Sequence, residues 1–283
     1  MLKRMVDMVS AEVFQLRHRV GTWVLLAIWG VLALFFGYVF AYLIDGGETA
    51  ARVPEGAFVQ PQLLPDQFVA TIIAGFPFYG GAFALMLGVL TVGSDFGWET
   101  FKTLFTQRPG RGQVFAAKMA ALAIMLIPFV LFVFALGAIA SSLIALREGL
   151  PIDFPGPVEI VQGMLAGWLI LAVWATVGVV LAVVTRGTSL AIGIGILYTL
   201  VIEGLISNVA NQISWMKPMI DGFVRANAYS LVKPFGNAAV DAEGPGRFAG
   251  PFVSPERAAL VLVAYMVIFC GLSLWLLRTR DVD

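Results

Sequence analysis

Six long apolar runs, separated by polar segments, make up most of the chain. Each run has the roughly 20 mostly apolar residues that a helix needs to cross a hydrocarbon core of about 30 Å. The pattern therefore predicts an all-α, polytopic membrane protein in which one domain, residues 1–283, carries six transmembrane helices. The predicted spans cover about residues 20–44, 68–92, 118–146, 158–184, 189–210 and 257–277.

The polar segments have patterns of their own. In residues 1–19, apolar residues recur every three or four positions among charged ones, which predicts a helix that lies along the membrane surface before span one. Residues 211–256 predict short external helices between spans five and six, at the outer surface or partly inserted. In span four, Gly163 and Gly167 form a GxxxG pair that fits a contact within the bundle, a dimer contact or chance.

The segment between spans two and three, residues 94–107, predicts an amphipathic helix. Ser94 is placed to cap a helix that begins at Asp95, where a negative charge suits the helix dipole, and Pro109 ends it. By itself this periodicity fits an anchor at the lipid headgroups as well as a docking helix for a soluble partner. The apolar stripe holds Trp98, Phe101, Leu104 and Phe105, and the opposite face holds Glu99 and Lys102.

Span five carries a polar face on an otherwise apolar helix. An ionised carboxylate inside a membrane is costly, so Glu203 should face protein or water. Two interpretations stay open: Glu203 holds helices together as a protonated or hydrogen-bonded group, or it lines a translocation path. The face has a spacing of four residues and comprises Gly195, Thr199, Glu203, Ser207 and Asn211.

Composition and charge agree with a membrane protein. Hydrophobic residues make up 59 % of the chain and charged residues 13 %, far from the soluble average. With both termini inside, 11 of the 18 Lys and Arg residues are cytoplasmic and 7 external, as the positive-inside rule favours. We therefore expect a multi-pass protein of the cell inner membrane with cytoplasmic N- and C-termini. The first run is too long for a signal peptide, so it should remain in the mature chain.

The residues present exclude several kinds of chemistry. A formal net charge of zero argues against a nucleic-acid partner. The sequence has no P-loop for nucleotide phosphates. His18 is the only histidine and Cys270 the only cysteine, too few for a multi-histidine or thiolate metal site or a disulfide. We expect no catalytic residue, metal or cofactor in this chain.

One stretch resembles a known family. Gly93 to Leu104 reads Gly-Ser-Asp-Phe-Gly-Trp-Glu-Thr-Phe-Lys-Thr-Leu, and it is followed by Arg-Pro-Gly-Arg-Gly and then, six residues after Gly112, by Lys118. This run resembles the loop between spans two and three in permease subunits of type-two ABC exporters. The similarity is greatest to the branch that holds bacitracin-resistance, sodium-export and copper-enzyme-maturation permeases.

The resemblance implies partners and site residues. In that family the loop is a coupling helix that seats in a groove of a separately encoded cytosolic ATPase, which binds ATP and Mg, and an elbow helix precedes span one. The permease pairs with a second copy or a related permease. Aromatic residues of the loop would then be apolar anchors, and its arginines would contact the partner or anionic lipid. The implied ATPase-coupling residues are Asp95, Trp98, Glu99, Phe101, Lys102, Phe105, Arg108 and Arg111.

The expected function is that of the membrane subunit of an ABC exporter, which moves an amphipathic or hydrophobic substrate outward. Two alternatives belong to other classes. An ATP-independent secondary transporter would use Glu203 as its ion or proton carrier, although the two halves show no inverted repeat. A membrane anchor of a sensor or assembly complex would have a partner but no transport.

Overall fold

The computed structural model describes residues 2–44, 60–97, 110–203, 205–206, 221–236 and 252–279, and these ranges contain helices and no β-strand. The all-helical prediction is confirmed for them. In chain order, the α-helices are α1 (Leu2–His18), α2 (Val20–Leu34), α3 (Phe40–Ile44), α4 (Phe68–Ala74), α5 (Gly81–Gly97), α6 (Arg111–Glu148), α7 (Pro157–Thr185), α8 (Ser189–Ile196), α9 (Val224–Val232) and α10 (Pro255–Thr279).

Long apolar helices make this chain a membrane protein. Within the described ranges, five stretches are long and apolar enough to cross a membrane. The predicted span five corresponds to a shorter apolar helix, Ser189–Ile202, and residues 204 and 207–210 of that span are not described. The sixth span therefore stays a prediction. The five candidate spans are Val20–Leu43, Pro65–Phe96, Arg111–Glu148, Pro157–Thr185 and Pro255–Thr279.

The second candidate span is interrupted near its middle. α4 ends at Ala74, a π-helical stretch runs from Phe76 to Gly80, and α5 follows at once. Pro77 lies in this stretch and has no backbone N–H to donate, so the regular hydrogen-bond ladder cannot continue through it. The interruption divides the span into α4 and α5.

α5 and α6 both run past the apolar stretches that predicted them. The prediction that a helix begins at Asp95 with Ser94 as its cap is wrong, because both residues lie inside α5. The Ser94 hydroxyl donates to the carbonyl of Leu90 at 2.8 Å, one turn back. A hydroxyl that bonds in this way leaves the following backbone free to continue the helix. Residues 98–107, the rest of that predicted helix, lie outside the described residues.

α5 and α7 pack with their backbones in contact. A Cβ added at Gly88 would lie 2.0 Å from the carbonyl oxygen of Ala175, and one at Gly178 would lie 2.1 Å from that of Leu85. Neither site has room for a side chain, which is how small residues let membrane helices approach closely. This pair forms the centre of the bundle.

Gly163 and Gly167 make contacts inside the bundle. A Cβ at Gly163 would lie 2.7 Å from the Val69 side chain, and one at Gly167 would lie 2.6 Å from the Phe76 ring. This face of α7 is therefore covered by α4 and the π-helical stretch. Of the three interpretations of the GxxxG pair, the intra-bundle contact is the one that the structure confirms.

α1 is helical as predicted and packs on the first part of α6. Leu16 is 2 % exposed and forms a small apolar cluster with Ala121 and Met125, against which Val13 packs. Phe14 lies on another side of the helix and is 63 % exposed. α1 is thus amphipathic, with one face attached to the bundle, and its position along the membrane surface stays a prediction.

Candidate functional site

One group of buried charges lies where α1, α5 and α6 meet. The Nζ atom of Lys118 is 2.7 Å from Oδ2 of Asp95 and 2.9 Å from Oε2 of Glu12. The Arg19 guanidinium is 4.0 Å from Oδ1 of Asp95 and also donates to the carbonyl of Leu90. We call Glu12, Arg19, Asp95 and Lys118 the ion cluster.

Two members of the ion cluster, Lys118 and Asp95, are enclosed almost completely. Lys118 is 2 % exposed and Asp95 is 3 % exposed. Taking an ion out of water costs several kcal/mol even after the protein relaxes, so each of these charges requires its partner. Two acids and two bases balance each other here. The cluster therefore fixes α1, α5 and α6 in one arrangement.

Two of the predicted ATPase-coupling residues, Asp95 and Arg111, lie within the described residues. The Asp95 side chain is buried and faces Lys118, and its role in coupling to an ATPase stays a prediction. Because α5 continues beyond Asp95 and α6 begins ahead of Lys118, both groups lie inside the bundle. Arg111, the first residue of α6, donates to the carbonyl of Leu277 at 3.1 Å. Trp98, Glu99, Phe101, Lys102, Phe105 and Arg108 lie outside the described residues.

A second group of buried charges includes Glu203, which lies seven residues beyond the end of α8. Thr188 and Gly187 are beside Gly93, near the ion cluster, and Glu203 is 14 residues beyond Ser189, about 21 Å along a helix. Glu203 is 1 % exposed, and its Oε1 atom accepts a hydrogen bond from the backbone N–H of Arg225 at 2.8 Å.

This hydrogen bond caps α9. Arg225 is the second residue of α9, and the first four N–H groups of a helix have no acceptor within the helix itself. Phe223, which precedes α9, provides no side-chain cap. Glu203 therefore supplies the carboxylate that the helix N-terminus favours, from a position 22 residues earlier in the chain.

α9 carries several polar side chains and yet is almost entirely buried. Its first seven residues read Val-Arg-Ala-Asn-Ala-Tyr-Ser and all are buried. The Arg225 guanidinium lies over two rings, 4.9 Å from the centre of Phe78 and 5.5 Å from that of Tyr229, an arrangement that favours the cation. Because Phe78 belongs to the π-helical stretch, α9 is in contact with the interruption of the second span.

Further hydrogen bonds hold the start of α9. The Asn227 amide donates to the carbonyls of Asp221 and Phe223, each at 2.8 Å. The Tyr265 hydroxyl of α10 donates to the carbonyl of Gly222 at 2.5 Å. Burial raises the pKa of the Tyr229 hydroxyl above its usual range, so it stays protonated at neutral pH.

α9 lies in the segment where helices between spans five and six were predicted at the outer surface or partly inserted. It is enclosed by its neighbours, and its depth relative to the membrane stays a prediction. Its enclosure is favoured by the partners that the Arg225 backbone N–H and the Asn227 amide N–H find inside the bundle. Residues 211–220 and 237–251 of the same segment lie outside the described residues.

The polar face of span five is packed against protein. Thr199 is fully buried and donates to the carbonyl of Gly195 at 2.8 Å. A Cβ at Gly195 would lie 2.4 Å from the Leu85 side chain of α5. This geometry fits the interpretation in which Glu203 is a hydrogen-bonded contact between helices. Ser207 and Asn211 lie outside the described residues.

One known family matches most of the chain. The model of the family described as "Protein of unknown function (DUF2705)" matches residues 67–282. The chain belongs to this family. No curated protein matches the chain. The DUF2705 match includes Asp95, Lys118, Glu203 and Arg225 and begins after α2, so the ion cluster joins residues inside the matched region to two outside it.

Two buried bases in the DUF2705 region were not predicted from the sequence. Lys118 and Arg225 were counted as topological charges on the two sides of the membrane, but each is buried beside an acid. The available signal was that Asp95 and Lys118 each lie next to an apolar run. Among the residues described, no group of three or more His, Cys, Asp or Glu side chains is placed to hold a metal ion.

Proposed function

We propose that this protein is the membrane-spanning permease subunit of an ABC exporter. It moves an amphipathic or hydrophobic substrate outward with energy from ATP that a separate cytosolic subunit hydrolyses. The observation that carries the proposal is the resemblance of Gly93–Leu104 and the following Arg-Pro-Gly-Arg-Gly to the coupling loop of such permeases. The run begins in the last turn of the second candidate span, which ends at Phe96, and leads to the third, which begins at Arg111.

The ion cluster supports the proposal mechanically. Asp95 precedes the segment 98–109 and Lys118 follows it, and their side chains are in contact. A force on the segment would therefore reach α5 and α6 together, and through Glu12 it would reach α1. The π-helical stretch Phe76–Gly80 is a point where the second span bends more easily than a regular helix. Movement of the segment would in this way tilt one half of the span.

The proposal includes specific partners and a location. The permease pairs with a second copy of itself or with a related permease, and its ATPase partner holds ATP and Mg. Lipid covers the exposed apolar side chains of α2 and α10, such as Val31 and Val267. The chain crosses the cell inner membrane several times and has both termini in the cytoplasm. It acts on no nucleic acid and is itself no enzyme.

Purification with the partner tests the proposal. A tagged chain is isolated from its native host in mild detergent, and the associated proteins are identified by mass spectrometry. We expect a stoichiometric soluble ATPase, which should be lost with Trp98→Asp because a charge would replace an apolar anchor. Ile152→Asp is the matched control, since Ile152 is an exposed apolar residue between α6 and α7, at the far end of α6 from the segment. It should retain the ATPase.

Other results would reject the proposal. A chain that is purified without an ATPase and still transports would contradict it. A secondary transporter would lose transport on addition of an uncoupler and would be insensitive to ATP depletion. The contact between Glu203 and α9 does not favour that alternative, because the carboxylate is occupied by a helix terminus.

A further inference from the structure

α9 is a short helix whose stability depends on its surroundings. It has nine residues, fewer than an isolated helix needs to be stable in water. Val224, Ala226, Ala228, Tyr229 and Val232 are buried in the apolar core, and Arg225, Asn227 and Ser230 are buried with them. Such buried polar groups need partners, so polar contacts contribute with apolar burial to keeping α9 inside the bundle.

These contacts converge on the first turn of α9 and come from three parts of the chain. The predicted span five provides the Glu203 carboxylate, and α10 provides the Tyr265 hydroxyl. The interruption of the second span provides the Phe78 ring beneath Arg225. Of these three, Glu203 alone accepts a hydrogen bond from a backbone N–H of the first turn.

We infer that Glu203 is a positioning residue that locks α9 inside the bundle by capping its first turn. α9 in turn keeps Phe78 covered and connects the predicted span five to the second span and α10. When the cap is removed, the first turn of α9 loses its acceptor and the helix detaches more often. The inference concerns contacts within this chain alone, so its test does not depend on whether an ATPase partner exists.

Thiol accessibility of α9 tests the inference. The reporter is Ala228→Cys in a Cys270→Ser background, because Ala228 is fully buried in α9. The rate of labelling by a water-soluble maleimide is measured in membrane vesicles. Glu203→Ala should accelerate labelling at least about tenfold, as expected when a hydrogen bond to a charged group is lost. Glu203→Gln keeps an acceptor oxygen at the same reach and should stay within about threefold of the parent.

A second reporter separates detachment of α9 from general loosening. Ser141→Cys places a thiol of similar size at a fully buried position in α6. Its labelling rate should be the same with Glu203 and with Glu203→Ala. Equal acceleration at both reporters would overturn the inference, because the bundle as a whole would then have opened. No acceleration at Ala228→Cys, or equal acceleration by Glu203→Ala and Glu203→Gln, would overturn it as well.

A milder variant keeps the test decisive if Glu203→Ala does not fold. Tyr265→Phe removes only the hydroxyl that donates to the carbonyl of Gly222, one residue before the α9 N-cap. Labelling at Ala228→Cys should then rise about threefold, since a neutral hydrogen bond contributes less than a charged one. An unchanged rate with Tyr265→Phe would show that the start of α9 is not what holds it. Failure of the ATPase experiment would leave all these rates unaffected.

Discussion

Lys118 places an ammonium group inside the bundle, where acidic side chains must balance its charge. Its contacts to Asp95 at 2.7 Å and Glu12 at 2.9 Å do so from two different helices. The ammonium is a compact charge with three donors, so it can bond to both acids at once. This one residue therefore links α1, α5 and α6.

Replacing Lys118 by Met should destabilise the protein strongly. The variant keeps an apolar stem but leaves Asp95 buried, with Arg19 at 4.0 Å as the remaining ion-cluster cation. Removal of one partner of a buried pair typically costs about 3–5 kcal/mol in the free energy of unfolding. The measurement is denaturant unfolding in mild detergent. Lys3→Met is the control, since Lys3 is exposed, and its effect should stay within about 0.5 kcal/mol.

The double variant checks the interpretation. Asp95→Asn combined with Lys118→Met removes both charges, so no isolated ion remains. Its loss of stability should be clearly smaller than the sum of the two single losses, as for any pair of residues in contact. Simple additivity would contradict the ion pair.

At the scale of elements, the contact between α5 and α7 is set by glycine. Gly88 and Gly178 bring two backbones together, each against a carbonyl group of the other helix. Gly193 of α8, in contrast, has no atom within 4 Å of an added Cβ. The same residue type thus has different roles at helix positions that look alike in sequence.

This difference gives a paired prediction. Gly88→Ala should lower the free energy of unfolding by about 1–3 kcal/mol, because the helices must separate to admit the methyl group. Gly193→Ala should raise it by roughly 0.5–1 kcal/mol, since alanine loses less conformational entropy in a helix. Both are measured by denaturant unfolding in the same detergent. Two effects of the same sign would contradict the helix contact.

At the scale of the whole molecule, function depends on orientation. The distribution of Lys and Arg predicts that both termini and the segment 98–109 face the cytoplasm. The opposite ends of α6 and α7, joined by residues 149–156, should then face outward. Only this orientation places the proposed coupling loop where a cytosolic ATPase can reach it.

Cysteine labelling of intact cells tests the orientation. In a Cys270→Ser background, Ser10→Cys in α1 and Ile152→Cys between α6 and α7 are both exposed positions. An impermeant maleimide should label Ile152→Cys in intact cells and Ser10→Cys only after the membrane is permeabilised. The reverse result would place the segment 98–109 outside and would exclude a cytosolic partner for it.

Some features of the fold follow directly from the sequence. Helical structure in residues 2–18 and in the long apolar runs was predicted and is confirmed, because helix periodicity and apolar length are properties of contiguous residues. The start of a helix at Asp95 was mispredicted because that prediction, too, used only contiguous residues. Ser94 and Asp95 have the local pattern of a cap, and only their contacts with Leu90 and Lys118 show that α5 continues.

What the sequence determined by itself is the class: an all-helical membrane protein, with a polar face on the predicted span five and a distinctive run after the second span. The partners of its charges were decided by the tertiary structure. Lys118 meets Asp95 across 23 residues and Glu12 across 106, while Glu203 meets Arg225 across 22 residues. No local pattern encodes such distances. They arise when helices pack, since a buried charge is tolerated only where packing brings its counter-charge or a helix terminus within reach.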